Sequence, residues 1–259
     1  MTDVARQLLE LLDIEQLEID LFRGIGSGGE TTTRIFGGHV IAQALMAAYR
    51  TVPDRMCHSL HAYFIRPGDP SIPVIYQVDR ARDGGSFTTR RVVAIQHGKQ
   101  IFNLSASFHV QEEGWDYQHK MPDVKGPEHW LDRPDLREPY IEKISPKHRD
   151  DFLRERPIEI REVDPRDLFE PEKTSDKSLR PHGLTWFQGQ VMTASLDHAM
   201  WFHAPIDFSD WHLYELDAPF TGGARGFNRG LIYNQNGQLA ATTAQEGLMR
   251  PYKKKEAAS

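Results

Sequence analysis

The chain has a single cysteine, no excess of basic charge and no long apolar run, and each shortage removes a class of explanation. With Cys57 alone, neither an intrachain disulfide nor a thiolate metal cluster can form, which fits a reducing compartment. The formal net charge is -6 over 259 residues, with both signs interspersed, so there is no electrostatic footprint for nucleic acid or an anionic membrane. No apolar segment is long enough to span a bilayer. The opening MTDVARQLLELLDIEQLEIDLF also lacks the basic start and small-residue cleavage site of a secretory signal. These absences predict a cytoplasmic protein with neither a nucleic-acid nor a membrane partner.

What is present is a pattern that occurs twice. Between Cys57 and Val110, bulky and polar residues alternate through HSLHAYFIRP and IPVIYQVDRARDGGSFTTRRVVAIQHGKQIFNLSASFHV, with DGG and HGK as turns, which predicts an antiparallel meander. A comparable run closes the chain, ASLDHAMWFHAP and WHLYELDAPFTGGARGFNRGLIYNQNGQLAATTAQEGLMR. Ser59 and Leu60 match Ser195 and Leu196; Gly84, Arg90 and Gly98 match Gly223, Arg229 and Gly237. The expected organisation is an N-terminal unit at residues 1–111, a crossover at 112–156 carrying one short helix near 146–154, a C-terminal unit at 157–253 and a basic tail at 254–259.

Residues 4–14 read as a short amphipathic helix, with Leu8, Leu11 and Leu12 on one face. The strongest helical signal is FGGHVIAQALMAAYR, where Ile41, Ala44, Leu45 and Ala48 recur at helical spacing and the alanines keep the helix narrow enough for a sheet to wrap. Gly37 and Gly38 open it. Their bare N–H groups can hold a carbonyl oxygen or phosphate, or the pair can simply permit a tight turn and close packing. The histidines on the strands, His58, His61, His198 and His203, lack the carboxylate spacing of a zinc hydrolase, so no metal site is expected. TASLDH also lacks the glycine-bounded elbow that exposes a nucleophilic serine.

The segments RIFGGHVIAQAL, HSLHAYFIRPGDP, RPHGLTWF, ASLDHAMWFHAP, RGFNRG and QEGLMR, in this order, resemble the type II acyl-CoA thioesterases. The resemblance implies an α+β double hotdog, in which two curved antiparallel sheets, each around one helix, pack as a pseudo-dimer. It implies hydrolysis of fatty acyl-CoA to fatty acid and coenzyme A, without metal or other cofactor, by a water held between an Asp, a Ser or Thr, and a Gln. The hydroxyl falls on Ser195 and the amide on Gln245; Gly37, Gly38 and His39 fall at the substrate-binding helix end, where His39 replaces the family's usual Gln.

The Asp has no counterpart. It belongs to the central helix of the second half, ahead of PHG, yet only EPEKTSDKSLR separates Phe169 from Pro181 here. Counting back from Ser195 lands on Glu172–Thr185, a string with Pro, Gly and no apolar stripe. The second unit is therefore expected to lack its first strand and central helix. Leu196, Ala199 and Trp201 would then be exposed on its concave face unless another subunit, the crossover around Trp115 and Trp130, or residues outside this sequence cover them. A homo-oligomer follows from the first option. Asp197, two residues from Ser195 and so on the same face of an ideal strand, is the reserve base, with a structural role as its other reading. The alternative to a working hydrolase is an impaired relic that binds acyl-CoA or serves only as a partner subunit.

Overall fold

In the computed structural model, which describes residues 3–26, 34–146, 149–153, 156–163, 165 and 191–251, the strands join in one antiparallel sheet. The first unit consists of α1 (Asp3–Leu12), β1 (Glu15–Glu18), β2 (Leu21–Gly24), α2 (Gly37–Tyr49), β3 (Met56–Phe64), β4 (Val74–Asp83), β5 (Phe87–Gln96) and β6 (Lys99–His109). The second contributes β7 (Val191–Ser195), β8 (Asp197–Phe202), β9 (His212–Gly222), β10 (Arg225–Asn234) and β11 (Leu239–Pro251). The strand order is β1-β2-β4-β5-β6-β3-β8-β11-β10-β9, with β7 also paired to β11. The halves meet where β3 pairs with β8, from Ser59 opposite Trp201 to Tyr63 opposite Asp197.

The HGK turn behaves as its residues require. His97 and Gly98 both take positive φ, at 50° and 68°, the twist that lets two residues join β5 to β6. Gly223 and Ala224, at 57° and 60°, do the same between β9 and β10.

α2 is the axis of the first half. Ala44, Ala47 and Ala48 have no exposed surface, and Leu60, Tyr76, Val92, Ala94, Leu104 and Phe108 close around it as one buried cluster. Small side chains on the helix let the sheet approach closely, so the inward-facing apolar residues of its strands leave water. A polar residue sits inside this seam. Gln43 is fully buried; its Nε2 donates to the Leu11 carbonyl at 2.6 Å and the Ile25 carbonyl at 3.2 Å, while its Oε1 accepts from the Tyr76 hydroxyl at 2.8 Å. One amide thus ties α1, the end of β2 and β4 to α2. Gly24 is needed beside it, because a Cβ there would collide with Gln43 Oε1.

The two units are not equally covered. Among the described residues no helix packs along β7–β11, which agrees with the second hotdog lacking its central helix; the string Glu172–Thr185 lies outside the described residues. The matched arginines record the difference. Arg90, with 1% of its side chain exposed, reaches the carbonyl and hydroxyl of Thr51 just past the end of α2, the Arg82 and Thr89 carbonyls, and the Asp83 carboxylate. Arg229 is 57% exposed and pairs across the strands with Asp217.

The crossover is more structured than the single helix expected. It holds single 3₁₀ stretches at Pro127–His129 and Glu138–Lys143 and two short helices, α3 (Arg133–Arg137) and α4 (Arg149–Leu153). Asp132 caps α3 by accepting from the Asp135 N–H at 2.9 Å, and Pro134 sits in its first turn, where a missing N–H does no harm. The Gln118 amide exchanges hydrogen bonds with Gly237 and Leu239, pinning the crossover to the last hairpin. Trp115 is fully exposed and covers nothing, contrary to one of the expectations for the second sheet.

Candidate active site

The second half places its polar residues through an irregularity. Ser195 lies opposite Gly247, yet Ala199 lies opposite Ala244: four steps on one strand match three on the other. The extra residue is accommodated at Leu196, whose N–H donates to the Glu246 carbonyl at 3.0 Å and whose carbonyl accepts from the Phe64 N–H at 2.9 Å. A bulge of this kind resets which residues point to which face.

The reset brings three side chains together. Gln245 Nε2 donates to Ser195 Oγ at 2.9 Å, and Gln245 Oε1 lies 3.2 Å from His198 Nδ1. An amide oxygen can only accept, so Nδ1 carries the proton and donates. Burial of the ring is the main influence on His198 and lowers its pKa below the ordinary histidine value, although the bond to Gln245 and the charge of Asp197 act in the opposite direction. The imidazole is neutral at pH 7. Its Nε2 hydrogen-bonds to no described residue.

The same bulge overturns the expected shared face of Asp197 and Ser195 and leaves Asp197 its structural reading. It does not share a face with Ser195: it lies opposite Tyr63, and its Oδ1 accepts from the Glu246 N–H at 2.7 Å. That bond fastens β8 to β11, the structural role. Likewise Ala199 and Trp201 do not share the concave face with Leu196. Met200, opposite the buried Leu60, packs on the core, and Trp201 on the other side meets the His61 ring edge-on at 5.2 Å.

A cavity of about 950 Å³ lies between the halves, lined by Phe36, Gly37 and Val40 at the start of α2 and by Ser195, His198 and Gln245 from the second sheet. No side chain caps α2, and as the first donors of the helix the Gly37 and Gly38 N–H groups have no hydrogen-bond partner among the described residues, while Phe36 O accepts from His39 and Val40. The positive end of a helix dipole therefore opens on the cavity. A side chain at Gly37 would meet the Phe64 ring at 2.8 Å, and one at Gly38 the Phe36 ring at 2.5 Å, so glycine here serves close packing as well as exposed N–H groups. Arg34, Arg66 and Arg229 add positive charge to the walls.

His39 is placed differently from Gly37. It does not line the cavity, and neither of its ring nitrogens closes a hydrogen bond. Its pKa is lowered, chiefly by burial and against the influence of the Ile25 carbonyl, so the neutral form holds at pH 7. Among the described residues no group of His, Cys, Asp and Glu has the arrangement of a metal site. Nor is any helix long and apolar enough to cross a membrane.

Ser195 and Gln245 are marked in the sequence by the resemblance, and the contact of His198 with Gln245 is not. The signal was a histidine among apolar residues in ASLDHAMWF, which by itself is indistinguishable from a satisfied core residue.

Two family models match in succession, the acyl-CoA thioesterase N-terminal domain over residues 27–109 and acyl-CoA thioesterase over residues 155–248. Acyl-CoA thioesterase 2 of Haemophilus influenzae is 35% identical over 284 aligned positions, covering 96% of this chain and 99% of that protein. Those 284 positions exceed the 259 residues here, so at least 25 of them (284 minus 259) face a gap in this chain. Human acyl-coenzyme A thioesterase 8 is 38% identical over 93% of this chain and 88% of its own length. Among solved structures, acyl-CoA thioesterase II TesB2 from Mycobacterium marinum superposes with a TM-score of 0.73 at 34% identity, covering 95% of this chain and 98% of that one. A hot dog fold protein from Alicyclobacillus acidocaldarius superposes at 0.70 with 18% identity, a likeness that bears on fold alone.

Proposed function

The chain belongs to the type II acyl-CoA thioesterase family, and from that premise we propose that it hydrolyses fatty acyl-CoA to fatty acid and coenzyme A in the cavity between its halves. The observation that carries this is the meeting of the Ser195–Gln245 pair with the uncapped start of α2 around one cavity. A thioester carbonyl is electrophilic enough for water to attack directly if the water is held and the developing oxyanion is stabilised. Ser195 and Gln245 hold the water. The N–H groups of Gly37 and Gly38, with the helix dipole behind them, receive the oxyanion. The arginines on the cavity wall suit the phosphates of coenzyme A, which is part of the substrate; no metal or further cofactor enters the scheme.

The gap in the second half supports a second reading, in which the protein binds acyl-CoA without turning it over. Loss of a general base costs a factor on the order of 10² to 10⁴ in rate. The two readings part in one assay, thiol release from a long-chain acyl-CoA by the parent, Ser195→Ala and Gln245→Ala. Hydrolysis that falls at least tenfold in both variants supports the hydrolase; ligand binding with no thiol release supports the relic. Self-association over the exposed second sheet belongs to the same proposal, and a monomer in sedimentation equilibrium counts against it.

A further inference from the structure

We propose that His198 is the proton acceptor of the reaction, the role for which the second half has no counterpart to the family's carboxylate. This rests on the hydrolase reading above. Gln245 spends its N–H on Ser195 Oγ and its oxygen on His198, which fixes the proton on Nδ1 and leaves the Nε2 lone pair bare. His198 lies opposite Ala62, a buried residue on the core side of β3, and so points inward; it lines the same cavity as Ser195 and Gly37. Nothing among the described residues occupies Nε2. The carboxylate next in sequence is directed elsewhere, onto the Glu246 N–H.

The chemistry then balances without a carboxylate. Water held beside Ser195 and Gln245 gives a proton to Nε2 as its oxygen bonds to the thioester carbon, and the negative charge moves to the carbonyl oxygen. When the tetrahedral adduct collapses, the C–S bond breaks and the departing coenzyme A sulfur takes that proton from Nε2. The products are the carboxylic acid and the thiol, and the imidazole is neutral again.

The charged and titratable groups around His198 are Asp197 on its own strand, Glu246 on β11, which pairs with Arg225, Tyr214 and Arg229 on the neighbouring strands, and Arg34 and Arg66 at the first-half wall. Burial opposes protonation of the imidazole and outweighs the Gln245 hydrogen bond and the charge of Asp197, which favour it. Hydrolysis by the parent should therefore lose activity only as pH falls through an ionisation below 6.5, and stay level from there to pH 8.

The test compares the parent with His198→Asn and His198→Ala. Asparagine keeps a side-chain N–H where Nδ1–H was, so it preserves the Gln245 contact but supplies no base; both variants should lose a factor on the order of 10² or more in kcat with a smaller change in KM. Added imidazole should restore part of the activity of His198→Ala. A His198→Asn enzyme with the parent's kcat, or a ¹⁵N spectrum placing the His198 proton on Nε2, would overturn the assignment. So would a parent pH profile with no ionisation below 6.5, a readout that needs no variant to fold. If the parent binds acyl-CoA but releases no thiol, the hydrolase reading itself fails, a result distinct from active His198 variants.

Discussion

Replacing Arg90 and Arg229 separately by methionine measures how differently the two halves are built. Methionine keeps the aliphatic stem of either side chain and removes the guanidinium. At position 90 this strands the Thr51 carbonyl and hydroxyl and the Arg82 and Thr89 carbonyls, which the guanidinium serves at 2.8 to 3.1 Å, in a site where the side chain is 1% exposed. Asp83, at 60% exposure, can turn to water, so its share of the loss is small. Each buried acceptor left without a partner costs about 1–3 kcal/mol, so the loss over these groups is about 3–5 kcal/mol. For a chain of this size each kcal/mol lowers the unfolding midpoint by about 2–4 °C, so Arg90→Met should melt roughly 6–20 °C below the parent. Arg229 pairs with Asp217 at the surface, both more than half exposed, and its loss should cost about 0–1 kcal/mol. Thermal unfolding followed by circular dichroism reads both. Equal and large shifts would refute the reasoning, since they would require Arg229 to clamp a helix end as Arg90 does.

Gln43→Leu should cost about 2–4 kcal/mol, because the Leu11 and Ile25 carbonyls and the Tyr76 hydroxyl lose their shared partner; an unchanged urea midpoint would contradict this. Burial pushes the Cys57 thiol up to about 12, so it stays protonated at pH 8. Iodoacetamide should label it only after unfolding, and stoichiometric labelling of the native protein would show that the site opens. Gly37→Ala puts a methyl against the Phe64 ring and beside the proposed oxyanion site, so kcat should fall more than tenfold; a variant as active as the parent would remove the helix end from the mechanism.

The parts of this structure that follow simple periods were legible in the sequence. The alanine-rich stripe of α2 and the two-residue alternation of β3–β6 depend only on which residues recur at 3.6 or 2 positions, and HGK names its own turn. Ser195 and Gln245 came from resemblance rather than spacing. What the sequence does not show is the bulge at Leu196: one extra residue exchanges the faces of everything after it, so Asp197 turns away from Ser195 and His198 turns toward Gln245. Such an insertion has no composition of its own. The role of Gln43 is hidden for a related reason, since it needs carbonyls from α1 and from Ile25, just past β2, that are distant in sequence.

The proposed reaction requires the thioester carbonyl to lie between the start of α2 and the Ser195–Gln245–His198 chain. A crystal structure with a ketone analogue of long-chain acyl-CoA, in which a methylene replaces the sulfur, tests that placement most directly. The account predicts the ketone oxygen within hydrogen-bonding reach of the Gly37 or Gly38 N–H, with a water between Ser195, Gln245 and His198 Nε2. A ketone bound away from both walls of the cavity, or a helix of this same chain filling the space before Ser195, would contradict it.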